Sequence, residues 1–447
     1  MKRRDFFTTA ALAGGAMALS TGCGRRIEQK KADSAAPQKT GAEGVRFVTE
    51  PQREIPVFTE TDVLVIGGGP AGTAAAIAAS KTGANTWLIE RYNHLGGLWT
   101  GGEVLPLLST HAMDSNHQKK QVIYGLGDEM WQRLKSLGMS INDVNPTIDP
   151  EAGKFVLEEM IIESGVKVLY HTYATNVIMD GNTIQGVYIE NKSGRAVILA
   201  KIVIDCTGDG DIFHFAGDNY ETMKYHIGLV HRLGNVDRIN PNKTGYIKYP
   251  VGKKTPIVGV NWVNMNGKSD QDGTDALTLS NLQVEYRQQI WKDYMKMKQT
   301  PGYEDVYILD TASQLGVRMS RILEAEYKLT LEDTMTFKKF EDSIGISGAW
   351  THMLYKGKKV AVADRPLWHI PLRSLVPKKT DGLLVAGRCF CFEKELVEDT
   401  RIIGTCLVTG HGAGVAAGIA VRDRQNVRDL DPKKLRKELL LQNVYLG

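Results

Sequence analysis

Thr61-Asp62-Val63-Leu64-Val65-Ile66-Gly67-Gly68-Gly69-Pro70-Ala71-Gly72 is the stretch whose reading decides the fold. Its first six residues are a short, largely apolar and β-branched run of the kind that parallel sheets bury. The run passes directly into glycines spaced G-x-G-x-x-G. An alanine-rich helix is expected from Ala71 to about Lys81, then a break at Gly83-Ala84-Asn85 and a second strand, Thr86-Trp87-Leu88-Ile89, ending at Glu90. Gly67 permits the tight turn, Gly69 lets backbone approach a pyrophosphate, and Gly72 lets the helix pack close on the strands. The helix N-terminus offers free N–H groups to phosphates. Glu90, 18 residues after Gly72, is placed to accept hydrogen bonds from ribose hydroxyls. Such glycines alone are a weak signal. Strand, helix, second strand and terminal acid in this order make a strong one.

Working outward, Leu95-Gly96-Gly97 and Gly101-Gly102 follow the acid. Ile202-Val203-Ile204-Asp205-Cys206-Thr207-Gly208-Asp209 is an apolar strand running into a small-residue turn, and Leu383-Leu384-Val385-Ala386-Gly387-Arg388 is a closing strand. A last helix, beginning near Gly404-Thr405-Cys406, carries Gly410, Gly412, Ala413, Gly414, Ala416, Ala417 and Gly418, small enough to lie very close to a neighbour.

With these segments in place the chain resembles the bacterial FAD-dependent oxidoreductases related to the glutathione-reductase and fumarate-reductase flavoproteins. The blocks that carry the resemblance are Asp62–Gly72, Leu95–Gly102, Ile204–Asp211, Gly316–Arg321, Ile370–Pro377, Leu383–Arg388 and Arg401–Gly418. It implies an α/β fold: a Rossmann-like FAD-binding domain of the glutathione-reductase type over 58–212 and 371–447, with an α+β substrate domain inserted over 213–370. It implies FAD contacts at Gly67, Gly69, Pro70, Ala71, Gly72, Glu90, Arg91, Gly96, Gly97, Thr207, Gly208, Gly387, Arg388 and Thr405. Cys206 stands where such flavoproteins have the alanine of an Ala-Thr-Gly segment. Arg388 stands where the wider superfamily has an acid on the ribityl chain, and is a trait of this family.

At 447 residues the chain exceeds what one core supports, so two or more domains are expected. The net charge of +4 is small, and no basic stripe interleaves with aromatics, which argues against nucleic acid as a partner. Five cysteines include no C-x-x-C pair, and a tight bend is the expectation for Cys389 and Cys391. The histidines lack metal-ligand spacing, so no metal is expected. Residues 1–23 read as a signal peptide: Arg3-Arg4-Asp5-Phe6-Phe7 resembles a twin-arginine signal, and Ser20-Thr21-Gly22-Cys23 a relaxed lipobox with Cys23 acylated. Residues 24–57 suit a flexible linker. The expected location is therefore periplasmic, with the protein held on the membrane surface by a lipid anchor.

For chemistry, Arg318 and Arg321 lie three apart, on one face of a helix or turn. The guanidinium fork suits carboxylates and developing enolate charge; the alternative is a structural pair meeting acids such as Glu332 and Asp333. Arg318 is a catalytic candidate and Arg321 a substrate-binding one. His369 is a candidate acid or base, and Arg373 a structural or substrate-anchoring cation. Arg401, just before the glycine-rich helix, and His411 within it complete the catalytic candidates. The expected reaction moves a hydride or electron pair between a small substrate (a hydroxy or keto acid, or sugar-like) and a partner other than NAD(P)H, such as a membrane electron carrier. The rivals are a flavin-binding electron relay without turnover of its own, and a monooxygenase or halogenase that would consume NAD(P)H.

Overall fold

β1 (Val57–Ile66) forms where the apolar run stands, with Val63–Ile66 buried on both faces. The protein is seen here as a computed structural model that describes residues 47–264, 267–348, 354–359 and 366–447. The expected leader, Cys23 and the first part of the linker lie outside the described residues. Residues 47–54 are exposed and without helix or strand, and Ile55–Gly447 form a compact unit.

β1 turns into α1 (Pro70–Lys81), whose first helical position is a proline, the residue with no N–H to lose there. β2 (Thr86–Ile89) returns beside β1. After α2 (Leu126–Ser136) and α3 (Pro150–Glu163) the chain adds β3 (Lys167–Leu169) on the far side of β2. A meander follows, β4 (Tyr173–Asp180), β5 (Thr183–Asn191) and β6 (Gly194–Asp205), and near the end comes β7 (Leu383–Val385). β6 belongs to two systems. Gly194–Leu199 pair antiparallel with β5, whereas Val203–Asp205 lie parallel between β1 and β7. The parallel order is β3-β2-β1-β6-β7. The strands β1, β2, β6 and β7 therefore end on one edge, and the loops that follow them gather there, where open parallel sheets bind ligands.

α5 (Ile403–Asp423) covers α1. A Cβ on Gly410 would stand 2.0 Å from the Ala71 carbonyl oxygen, one on Gly414 2.2 Å from that of Ala75, and one on Gly418 2.5 Å from Thr82 Cβ. The glycine spacing thus sets the closeness of the two helices. α5 is long and apolar enough to cross a membrane by length and composition, but Ile403–Ala420 are buried as a core helix.

The segment expected as one inserted domain, 213–370, divides between cores. Ile227, Leu229, Trp262, Leu282, Tyr286, Ile290 and Ala312 pack a separate cap around α4 (Ala276–Lys298). Met319, Ile322, Leu329, Ile344, Ile346, Trp368 and Ile370 join the main core instead. The cap is therefore narrower than expected, about 227–317. The reason lies in the pairing of Ser343–Gly348 with Leu367–Pro371. That hairpin presses on α5, where a Cβ on Gly412 would lie 2.4 Å from Ile344 Cβ.

Candidate functional site

A cavity of about 700 Å3 runs along the carboxyl edge of the parallel sheet, from the glycine turn to the cap. Gly67 has φ +99°, and a Cβ there would stand 2.5 Å from the Cys206 carbonyl oxygen. On Gly72 it would meet the Gly67 carbonyl oxygen at 1.7 Å. A Cβ on Gly69 would meet nothing within 4 Å, because Gly69 faces the cavity. The sequence assigned these three glycines a turn, a close packing and a ligand approach, and their surroundings differ accordingly.

α1 has no side-chain cap and no acid in its first turn, so its leading N–H groups stay available to an anion. Glu90 is buried at the end of β2. One carboxylate oxygen accepts from the Gly68 N–H at 2.6 Å, the other from the Tyr92 N–H at 2.8 Å. Gly96 donates its N–H to the Gly68 carbonyl at 2.8 Å, which lays the second glycine pair against the first. These features fit an adenine dinucleotide with its pyrophosphate at the turn.

Of the expected cofactor residues, Gly67, Gly69, Pro70, Ala71, Glu90, Arg91, Gly97, Thr207, Gly208, Gly387 and Arg388 line the cavity. Gly72, Gly96 and Thr405 do not, and act through packing. Thr405 donates to the Asp399 carbonyl at 2.8 Å and meets the Ser347 hydroxyl at 2.7 Å inside the core. Arg388 is held by Asp209, Nη2 to Oδ1 at 2.7 Å, and Ser320 donates to the same oxygen at 2.8 Å. Burial opposes the charge of Asp209, yet the Arg388 and Arg91 guanidiniums hold its carboxyl below the ordinary range. Arg321, expected on substrate, is committed elsewhere: it donates to the Asp209 carbonyl at 2.8 Å and to Asp211 at 3.0 Å. Its place outside the cavity lining corrects that assignment, and its carboxylate is Asp211 rather than Glu332 or Asp333.

Two catalytic candidates do converge. Arg318 and Arg401 both line the cavity, with Glu398. Arg401 donates to one oxygen of Glu398, and the Tyr225 hydroxyl donates to the other. Burial, and then the hydrogen bond and charge of Glu398, push the Tyr225 phenol up to about 12. Burial and the neighbouring Arg401 charge lower the pKa of Arg318. Arg318 has no ion pair or hydrogen-bonded partner among the described residues, so an unengaged guanidinium faces the cavity beside a second one. Val104, Leu108, Val230, Trp262 and Leu279 line the same cavity. The arrangement can seat a small anion with an apolar part. Tyr225 and Glu398, 173 positions apart, were not foreseen. The readable signal was the i,i+3 pairing of Glu398 with Arg401.

The histidine candidates lie elsewhere. His369 is buried in the strand Leu367–Pro371 against the Ser343 hydroxyl at 3.2 Å, and His411 sits between the Leu126 N–H at 3.4 Å and Gln442 at 3.0 Å. Burial lowers both imidazoles to about 4. Neither lines the cavity, because β-alternation and helical phase turn both side chains into the core. Arg373 also lies outside, paired with Asp342 at 3.0 Å and half exposed. Among the described residues the cysteines are free and buried, and no group of metal ligands occurs.

The family described as FAD dependent oxidoreductase matches residues 62–237 and 230–439. A digeranylgeranylglycerophospholipid reductase of Picrophilus torridus is 28% identical over 254 residues, 54% of this chain and 62% of the relative. A thiamine thiazole synthase of Methanococcus vannielii is 31% identical over 163 residues, 33% of this chain and 56% of the relative. The chain thus spans about three fifths of the length of these curated relatives. A solved geranylgeranyl bacteriochlorophyll reductase-like protein of Thermoplasma acidophilum is 16% identical, with a TM-score of 0.42 over 86% of this chain and 83% of its own.

Proposed function

Because this chain belongs to the family of FAD-dependent oxidoreductases, we propose that its substrate is a small organic acid held by Arg318 and Arg401. One observation carries the reading: an unpartnered guanidinium stands beside a positioned one in the cavity that begins at the glycine turn. When bound, FAD supplies the two-electron chemistry.

The residues that would hold it are the Gly67–Pro70 turn and the N-terminus of α1 at the phosphates, Glu90 at the ribose, and Gly387 and Arg388 nearer the flavin ring. Arg318 and Arg401 bind and orient a carboxylate and stabilise negative charge that develops next to it. Glu398 keeps Arg401 in place, and the Tyr225 hydroxyl holds its proton on Glu398. His369 and His411 take no part in proton transfer. The twin-arginine-like leader supports work outside the cytoplasm, at a lipid-anchored periplasmic site, with a membrane carrier or another non-nicotinamide partner exchanging the electrons. The glutathione-reductase type of the FAD domain belongs to the same reading, supported by the parallel order β3-β2-β1-β6-β7.

Anaerobic titration of the FAD-loaded chain with hydroxy acids, keto acids and sugars tests it, followed by flavin absorbance. Bleaching by an acid, or reoxidation of the reduced protein by one, is expected, with NADPH inert. Rapid stoichiometric reduction by NADPH, with every acid inert, would overturn the reading.

A further inference from the structure

α4 has two apolar faces and only one of them is used. Leu282, Tyr286, Ile290 and Met297 fill the cap. Leu277, Val284, Trp291 and Met295 are exposed, at 69, 56, 58 and 38%. At 100° per residue these four fall within about 40° of one another, opposite the buried face. The strand Tyr307–Thr311 runs alongside: Tyr294 donates to the Val306 carbonyl at 3.5 Å, and Arg287 Nε to Thr311 Oγ1 at 3.4 Å. It adds Tyr307 and Leu309 to the exposed apolar surface.

Cations frame the stripe. Lys292 and Lys296 flank it on one side, Arg287 and Lys298 on the other, by the same helical geometry. The acids of α4 are otherwise occupied, Glu285 by Lys268 at 2.7 Å and Asp293 by Gln289 at 2.8 Å. Lys292 and Lys296 have no acidic partner among the described residues. An exposed apolar stripe rimmed by lysines, with tryptophan in it, is the composition of helices that lie in a lipid headgroup layer. The first half of α4 also lines the cavity, through Ala276, Leu279 and Gln283.

We propose that the outer face of α4, with Tyr307 and Leu309, docks on an anionic lipid surface, with Trp291 among the headgroups and Lys292 and Lys296 against the phosphates. This goes beyond the substrate reading and does not depend on it.

The test uses the FAD-loaded full chain with Cys23→Ser and an environment-sensitive fluorophore on Val284→Cys; the cysteines of the described residues are buried. A blue shift and several-fold rise in emission are expected with vesicles of phosphatidylcholine and phosphatidylglycerol, and not with phosphatidylcholine alone. Lys292→Gln with Lys296→Gln should weaken the response about thirtyfold. The same probe on Glu159→Cys, in α3, should stay unchanged, and retained flavin absorbance reports the fold of each variant. An unchanged Val284 probe overturns the proposal, whether the chain sediments with the vesicles, held by its leader, or not at all. A shift that grows with protein concentration without lipid also overturns it, since a second copy would then cover the stripe.

Discussion

The two ends of the cavity are built in different ways. At the glycine turn the groups that face the ligand are mainly main chain, supplied by residues close together in sequence, with Glu90 clamped by two backbone N–H groups. Around Arg318 they are side chains drawn from Tyr225, Arg318, Glu398 and Arg401, residues that only the tertiary fold assembles. Backbone sites are written in local spacing and tolerate almost no substitution where chains touch. Side-chain sites are written in convergence and can be edited one group at a time.

The largest effect expected from this contrast is at Gly72. Gly72→Val drives carbons into the Gly67 carbonyl, where even a Cβ would lie at 1.7 Å, and should cost at least about 3 kcal/mol and the bound flavin. Thermal melting and the flavin-to-protein absorbance ratio measure it. Gly69→Ala, which meets nothing within 4 Å, should melt within about 0.5 kcal/mol of the parent while binding FAD more weakly. A Gly72 variant that keeps its flavin would break the comparison.

Next come the buried histidines. His369 and His411 sit at about 4 in the folded chain against an ordinary 6.5. Between those values the unfolded chain binds protons that the folded chain refuses. Their contribution is therefore complete above pH 6.5 and falls away as the pH drops toward 4, by up to about 3 kcal/mol for each. His411→Gln should flatten its share of that slope in urea unfolding from pH 7 to 4, leaving turnover at pH 7 unchanged. An equal slope in the variant would show that burial of this imidazole is not what sets the acid limit.

A smaller effect is expected at the arginine end. Arg318→Gln removes a charge-assisted pair worth about 1.5–3 kcal/mol, so KM for the acid should rise about 10- to 150-fold with flavin content and melting unchanged. If flavin is lost with the charge, the two ends are not separable. The smallest belongs to Arg373, whose pairing with Asp342 is half exposed. Arg373→Ala should shift stability by no more than about 1 kcal/mol and leave KM untouched.

Much of the first end was legible in the sequence. The strand, the separate duties of Gly67, Gly69 and Gly72, and Glu90 at the end of β2 follow from a few residues of local pattern. The cap boundary was not, because Ser343–Gly348 packs on α5 through Gly345 and Gly412 and carries Leu367–Pro371 with it by pairing, contacts that no single segment announces. Arg321 was misassigned for a similar reason: its spacing from Arg318 was visible, but Asp209 and Asp211, in the turn after β6, reach it only once the strand Arg321–Leu323 has paired with Tyr220–Thr222. His369 and His411 carried the right chemistry for a proton carrier, while the faces of strand and helix on which they stand point away from the cavity.

The contact of α5 with α1 has one more consequence. Where Gly410 and Gly414 touch α1 they rest on the Ala71 and Ala75 carbonyls, with no side chain of α5 between, and Gly418 rests on the Thr82 side chain just past the end of α1. The pair behaves as a single bracket, with the beginning of α1 at the phosphate turn and the beginning of α5 next to Arg401. A rigid displacement of α5 would therefore carry the phosphate turn with it, so the placement of Arg401 and that of the cofactor turn are mechanically linked.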